Sequence, residues 1–155
     1  MPIYALGDDV PDIHPDAYVH PDAVLIGAVR VGAGSSIWPG AVLRGDGGGH
    51  IAVGERSSVQ DNCVLHTTPE HPTVVGDDCV IGHIVHLEGC TIGPGALVGT
   101  GAVVLNGTEV PPGALAVGAP ATIKAGGAKA DAITHGRDVY VEKARAYRDG
   151  LRRIG

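Results

Sequence analysis

Aliphatic residues recur at every sixth position through most of the chain, and this spacing dominates the sequence. A small or short residue follows four positions after nearly every member of the series, and glycine often comes directly after it. Neither the helical repeat of about 3.6 residues nor the alternation of an ordinary strand accounts for this period. The members of the series are Ile13, Val19, Leu25, Val31, Ile37, Leu43, Val53, Val59, Leu65, Val75, Ile81, Leu87, Ile92, Val98, Val104, Val110 and Ala116.

Such a period predicts a short strand and a tight corner, repeated three times in each coil of a prism. The aliphatic and small residues point inward, and glycines relieve the corners. We therefore predict an all-β solenoid, a left-handed parallel β-helix of hexapeptide repeats, with five to six coils over residues 11–120. The series is interrupted at 47–50 and at 67–73, where Gly-, Pro- and polar-rich segments predict loops that leave the prism.

The pattern changes near the C-terminus, where apolar residues take roughly helical spacing from Lys129 onward. The Gly126-Gly127 pair separates this segment from the repeats. We predict two units, a β-helix domain over residues 1–125 and, over residues 126–155, a C-terminal α-helix packed on the outside. Gly136 is expected to be a weak point of that helix.

Composition narrows the class of protein further. Among 155 residues there are 25 Gly and no Phe, so a core built on aromatic rings is excluded, while a hydrophobic fraction of 44% argues against disorder. The net charge of −6 argues against nucleic acid or an anionic membrane as the main partner. No apolar run is long enough to span a bilayer.

The three cysteines predict a reduced, cytoplasmic protein with free thiols. Cys63 and Cys79 occupy the small inward position of the repeat, so we expect them to fill the core. The first ten residues lack a basic region followed by an apolar stretch, so we expect no signal peptide.

Five of the eight histidines lie between residues 50 and 86, and coil geometry decides which of them meet. Leu65 and Leu87 are one full coil apart, so the outward residues that follow them, His66 and Glu88, should stack about 4.8 Å apart. His83 lies near a corner and cannot reach His66 within one chain. In a threefold assembly it could reach a neighbour's His66, which predicts a metal shared between subunits and completed by a third ligand. We expect His14, His20 and His135 to be solvated surface residues.

Several stretches carry a resemblance to a known family. The sequence resembles gamma-class carbonic anhydrases and their relatives over about residues 10–125. The segments that carry it are Arg44-Gly45-Asp46, Val59-Gln60-Asp61-Asn62, Ile81-Gly82-His83, Gly89-Cys90-Thr91-Ile92-Gly93 and Val117-Gly118-Ala119-Pro120-Ala121.

The resemblance implies a homotrimer with a divalent metal at each of three interfaces, usually zinc and sometimes iron or cobalt. His66 and His83 match two of the family's metal ligands. Arg44 and Asp46 match an interface ion pair, Gln60 matches the residue that hydrogen-bonds metal-bound water, and Asp61 matches a partner in that network. The implied reaction is hydration of carbon dioxide to bicarbonate, for which the metal lowers the pKa of its bound water towards about 7.

The chain departs from the family pattern at the third ligand. Where the family has a histidine, this sequence has Glu88, and a histidine stands at His86 instead. Stacking on His66 favours Glu88 as the ligand, with two imidazoles and one carboxylate. The commoner ligand type favours His86, with Glu88 as a neighbouring hydrogen-bond partner or general base. A site without metal is the third possibility.

Two further departures concern the surroundings of the site. The acidic proton-shuttle loops of the family are missing, and Glu70 and His71 are the local shuttle candidates, although a solvated loop is the simpler interpretation. The chain also runs directly from Leu105-Asn106-Gly107 into Thr108, where relatives carry about one more coil.

We therefore predict a metal-dependent hydratase of the carbonic anhydrase type. One alternative is a non-catalytic homotrimer that binds a metal, a small molecule or a partner at an altered site. The other is an acyltransferase or thioesterase that uses coenzyme A. It is disfavoured because no Lys or Arg lies between Arg56 and Lys124 to meet the phosphates of coenzyme A.

Overall fold

Three sheets form the walls of a prism in a computed structural model that describes residues 2–155. Sheet 1 consists of β1 (Ile3–Tyr4), β4 (Val24–Gly27), β7 (Val42–Gly45), β10 (Val64–His66), β13 (His86–Glu88) and β16 (Val103–Val104). Sheet 2 consists of β2 (Asp12–Ile13), β5 (Val29–Val31), β8 (Ile51–Val53), β11 (Thr73–Val75), β14 (Thr91–Ile92) and β17 (Glu109–Val110). Sheet 3 consists of β3 (Tyr18–Val19), β6 (Ser36–Ile37), β9 (Ser58–Val59), β12 (Val80–Ile81), β15 (Leu97–Val98), β18 (Leu115–Val117) and β19 (Thr122–Lys124).

Each coil takes one strand from every sheet, and strands of successive coils pair in parallel. The register places Leu25, Leu43, Leu65 and Leu87 above one another, and all four are completely buried. The predicted left-handed β-helix of hexapeptide repeats is thereby confirmed, with about six turns.

The interior is aliphatic, and its thiols are inert. Cys63, Cys79 and Cys90 are free and buried among the aliphatic residues. Burial raises the pKa of Cys63 and Cys79 to about 11 and that of Cys90 to about 12. Thiols in this state are poor nucleophiles, which agrees with the predicted core-filling role.

Two strands lie outside the period-six series. β1 begins the solenoid earlier than predicted, with Ile3 stacked on Leu25 in sheet 1. β19 turns back and pairs antiparallel with β18, which closes the upper end of sheet 3. The six-residue series runs only from Ile13 to Ala116, so it did not predict these two strands.

The two predicted loops leave the prism at the same corner, between sheets 1 and 2. They follow β7 and β10 and lie against each other, so that a Cβ on Gly47 would stand only 2.5 Å from the carbonyl oxygen of Thr67. A side chain there would collide with the neighbouring backbone, which accounts for the glycine.

The C-terminal helix, α1 (Ala130–Gly150), lies on the outer face of sheet 3 and contacts β3, β6 and β12. Trp38 is buried there against the rings of Tyr18, Tyr140 and Tyr147, at centroid distances of 5.5, 5.4 and 4.9 Å. The predicted helix is therefore present, and it continues unbroken through Gly136.

Between residues 2 and 155, no helix is both long and apolar enough to cross a lipid bilayer.

Candidate functional site

A column of charged and imidazole side chains stands at the C-terminal edge of sheet 1. Strand register places Arg44 beside His66 and His66 beside Glu88, one coil apart at each step. His66 Nδ1 lies 2.7 Å from Glu88 Oε1. The stacking expected from the 22-residue coil is thus observed, and the side chains are in direct hydrogen-bond contact.

Asp46 joins this column from the end of the strand below. Its Oδ1 lies 2.8 Å from His66 Nε2, and Arg44 Nη1 donates a hydrogen bond to its Oδ2. Partial desolvation raises the pKa of Asp46, but hydrogen bonds from Arg44 and His66 outweigh it, and the pKa lies below its usual value. Asp46 is therefore ionised at neutral pH and holds His66 from one side while Glu88 holds it from the other.

Glu88 also contacts a second histidine, His86, which lies on the same strand. Its Oε2 lies 3.0 Å from His86 Nε2, so one carboxylate bridges two imidazoles. The side chain of Glu88 is 20% exposed and that of His86 is 40% exposed. Glu88 thus occupies the centre of the cluster, and His86 connects it to solvent.

His83 lies at the opposite edge of the same sheet, at the corner that leads into β13. Its Nδ1 is 3.1 Å from Asp61 Oδ1, one coil below. This contact engages Nδ1, and Nε2, the other ring nitrogen, takes no part in it. A carboxylate that holds one nitrogen of a metal-binding histidine is a common arrangement in metal sites.

Gln60 stands apart from the histidines. It is 4% exposed beneath α1, and its side-chain amide donates to Ser58 Oγ at 3.4 Å. Gln60 precedes Asp61 in the sequence, but the six-residue period carries no sign that α1 lies over this part of sheet 3.

Within one chain the predicted metal ligands form two separate groups, as the corner position of His83 led us to expect. His66, His86 and Glu88 are together, and His83 is with Asp61. Across residues 2–155, no set of three His, Cys, Asp or Glu side chains is arranged to hold a metal ion. An imidazole and a carboxylate in register, as at His66 and Glu88, are ligand types that zinc accepts.

Large exposed apolar side chains surround this polar column. Val64 stands between Val42 and His86 on the outer face of sheet 1 and is 38% exposed, and Ile84 at the adjoining corner is 63% exposed. Tyr4, Leu6 and Leu105, at the lower and upper ends of the same face, are each about half exposed. The outward side chains of sheet 2 are more polar by comparison and include Asp12, Arg30, Thr91 and Glu109.

Two side-chain contacts of the site were not predicted, although the spacing of the residues along the chain indicates both. Asp61 and His83 are 22 residues apart, the same coil length that separates His66 from Glu88. Asp46 lies two positions after Arg44 and therefore on the same face of the strand, which brings it to His66.

The remaining histidine and shuttle predictions have different outcomes. His20 was expected on the surface, and this was wrong. It is 8% exposed and packs edge-on against Tyr18 and Tyr147, because α1 covers that end of sheet 3. Glu70 and His71 are exposed in the second loop, and their role as proton shuttles stays a prediction.

Comparison with known proteins places these features in a family. A family model described as bacterial transferase hexapeptide (six repeats) matches residues 11–45 and 72–106. The carnitine operon protein CaiE of Escherichia coli is 46% identical over 110 residues, which is 71% of this chain and 56% of that protein. The match therefore spans only about half the length of this curated relative.

Two solved structures match nearly the whole chain. A candidate acetyltransferase from Bacillus cereus is 33% identical, with a TM-score of 0.82 over 96% of this chain and 98% of the other. A hexapeptide transferase family protein from Anaplasma phagocytophilum is 30% identical, with a TM-score of 0.78 over 94% and 97% of the two chains. As the six-residue period predicted, the chain belongs to the hexapeptide-repeat family of left-handed β-helix proteins.

Proposed function

We propose that this protein is a metal-dependent hydratase of the carbonic anhydrase type, which interconverts carbon dioxide and bicarbonate at the subunit interfaces of a homotrimer. The observation that carries the proposal is the distribution of donors on one sheet. His66 and Glu88 stack at one edge of sheet 1, and His83 lies at the other edge.

The exposed face of sheet 1 supports the trimer. Exposed apolar side chains at Tyr4, Val64, Ile84 and Leu105 lie on the same face as the polar column, and exposed apolar side chains rimmed by polar ones are typical of a protein interface. A threefold axis along the prism would cover these side chains and turn the His83 edge of one chain towards the His66 edge of the next.

The proposed metal is zinc, with iron or cobalt as alternatives. His66 and one of Glu88 or His86 would hold it on one chain, and His83 of the adjacent chain would supply an imidazole. The bound ion supplies Lewis acidity, which makes water a nucleophile near neutral pH.

The surrounding residues have roles that follow from their contacts. Asp61 holds Nδ1 of His83 and so presents Nε2 to the neighbouring chain. Both nitrogens of His66 are engaged by carboxylates, so metal binding has to displace either Asp46 or Glu88. If Asp46 is displaced, Glu88 stays on Nδ1 and orients the ring; if Glu88 is displaced, it is free to become the third ligand.

Proton release has a short path in this arrangement. Glu88 contacts the more exposed His86, so a proton accepted by the carboxylate can pass to that imidazole and then to water. Gln60 is proposed to orient the water, but its amide bonds Ser58 in the isolated chain and would have to turn.

Metal content and hydration activity, measured on the same anaerobically purified sample, test the proposal. Wild-type protein should hold about one metal per chain, and His66→Ala and His83→Ala should each lose metal and hydration together. His14→Ala, a matched exposed histidine away from sheet 1, should lose neither. Full metal content in both site variants would contradict the inter-subunit site, and metal without hydration would contradict the reaction.

One observation favours a second function. His86 is partly exposed and hydrogen-bonded to Glu88, an arrangement suited to a general base, and the Bacillus cereus relative is described as a candidate acetyltransferase. Acyl transfer from coenzyme A would then take place at the same edge of sheet 1. Saturating acetyl-coenzyme A should raise the melting temperature if this is correct, and no shift would remove it.

The compartment is proposed to be the reducing cytoplasm, since the three cysteines are free and buried.

A further inference from the structure

The two histidines proposed as ligands on opposite edges of sheet 1 each have a carboxylate on the same ring nitrogen. Glu88 Oε1 lies 2.7 Å from Nδ1 of His66, and Asp61 Oδ1 lies 3.1 Å from Nδ1 of His83. The residues of each pair are 22 positions apart, so in both pairs the carboxylate lies one coil away from the imidazole. The repeat thus places an equivalent carboxylate on Nδ1 at both edges.

The two imidazoles differ at Nε2, the ring nitrogen farther from the backbone. In His66, Nε2 lies 2.8 Å from Asp46 Oδ1, so both ring nitrogens are engaged. In His83, the contact with Asp61 involves Nδ1 alone, and the side chain is partly exposed. A neutral imidazole that gives one nitrogen to a metal keeps a single N–H. His66 can therefore keep only one of its two carboxylate partners when a metal binds.

The backbone positions of the two carboxylates indicate which of them stays. Glu88 belongs to β13, which is paired with β10 on one side and with β16 on the other, and it stands in register with His66. Asp46 follows the last residue of β7 and precedes the glycines at 47–49, so it lies outside the strand. Arg44 also donates to Asp46 Oδ2. Asp46 can therefore leave His66 without breaking a sheet, and it keeps a cationic partner when it does.

We propose that Asp46 is an internal competitor of the metal and that Glu88 is a positioning residue. The inference rests on the hydratase proposal, because it concerns the same site. In the metal-free protein Asp46 occupies Nε2 of His66, and metal binding to this nitrogen leaves Asp46 with Arg44 alone. Glu88 stays on Nδ1 and orients the ring, as carboxylates do behind many metal-bound histidines. Of the two candidates for the third ligand, this leaves His86.

Zinc affinities of two conservative variants should change in opposite directions. Asp46→Asn removes the competing charge and should bind zinc about tenfold more tightly than wild type. Glu88→Gln should bind zinc about 10–100-fold more weakly, because the ring of His66 loses the carboxylate that orients it. Competition with a chromogenic chelator measures both in metal-stripped full-length protein. Asp12→Asn, which removes an exposed carboxylate from sheet 2, is the control and should bind zinc as wild type does.

Two results of this titration would overturn the inference. Weaker zinc binding by Asp46→Asn would show that Asp46 assists the metal instead of competing with it. Unchanged or tighter binding by Glu88→Gln would show that Glu88 does not orient His66. Weaker binding by Glu88→Gln is expected for a ligand as well as for a positioning residue, so the ligating nitrogen has to be identified directly.

Nitrogen-15 NMR of histidine-labelled protein distinguishes the two ring nitrogens, and the spectrum of His66→Gln assigns the signals of His66. Zinc should shift Nε2 of His66 and leave the proton on Nδ1, where Glu88 accepts it. A shift at Nδ1 would make Glu88 the displaced group, which would overturn this inference while the shared metal site stands. No change at either nitrogen under saturating zinc would overturn both this inference and the proposed site.

Discussion

Sheets 1 and 3 are built by the same repeat, yet their outward faces have opposite surroundings. On sheet 3 the outward side chains of Tyr18, Trp38 and Gln60 are less than 9% exposed, because α1 lies over them. On sheet 1, Tyr4 is 55% exposed and Val64 is 38% exposed, and the main contacts of the helix are with sheet 3.

The comparison shows that the repeat determines only the inside of the prism. Inward positions are equivalent on all three sheets, whereas outward positions determine what each face binds. Sheet 3 meets a helix of its own chain, and its aromatic cluster is complete. Sheet 1 carries apolar side chains around a polar column, which suits a face that another copy of the chain covers.

The largest expected effect comes from charging the uncovered face. Val64→Glu places a carboxylate in the proposed interface without a cationic partner, which costs about 3–5 kcal/mol per subunit, so the trimer should dissociate. Sedimentation or light scattering should report monomers, and bound metal should be lost. Val74→Glu, at an equivalent outward position on sheet 2, is the control and should leave the assembly intact. A trimeric Val64→Glu protein would show that sheet 1 is not the interface.

Removing the indole of Trp38, which lies on sheet 3 beneath α1, should have the next largest effect. Trp38→Ala should lower the free energy of unfolding by about 3–5 kcal/mol, because the buried indole contacts three tyrosines and donates to Ser36. Chemical denaturation followed by circular dichroism measures this, and Trp38→Phe should cost less. If Trp38→Ala lost less than about 1 kcal/mol, the helix would not be firmly docked on sheet 3.

A glycine in the covering helix tests how closely the helix and sheet pack. A Cβ on Gly136 would lie 3.4 Å from Val80 Cγ2, which is an ordinary contact. Gly136→Ala should therefore raise the free energy of unfolding by about 0.5–1 kcal/mol through helix propensity. A lowered melting temperature would mean that the helix lies closer to sheet 3 than described.

The smallest effect concerns Asp78, which forms ion pairs with Arg56 of the preceding coil and with Arg137 of α1. A hydrogen bond from Arg56 is the main cause that lowers the pKa of Asp78, and Arg137 of the helix adds to it. Since the folded pKa is depressed, this stabilisation is present above the unfolded value of about 3.9 and is lost as the pH falls through the folded pKa.

Asp78→Asn should therefore lose at most about 1 kcal/mol at pH 7, because the pairs are partly exposed, and should show a flatter acid branch than wild type. Urea denaturation between pH 7 and pH 3 measures both. Identical acid branches in the two proteins would exclude a contribution from Asp78.

Local repetition explains what the sequence could predict. The positions of Leu65 and Leu87 predict the stacking of His66 on Glu88, because coil length is counted along the chain. Docking of α1 is not a local property, so the burial of His20 and Gln60 beneath it had no signal in the repeat. The bridge from Glu88 to both histidines depends on side-chain rotamers, which the spacing does not specify.

The most direct test of the central claim is the metal content of mixed trimers. His66→Ala and His83→Ala chains, each expected to bind no metal alone, are co-expressed and purified together. If the site is shared between subunits, about a quarter of the interfaces in randomly mixed trimers pair an intact His66 with an intact His83 of the next chain. We expect metal content and hydration activity to recover to about that fraction of the wild-type values. Mixed trimers that bind no more metal than either variant alone would contradict a site shared between subunits.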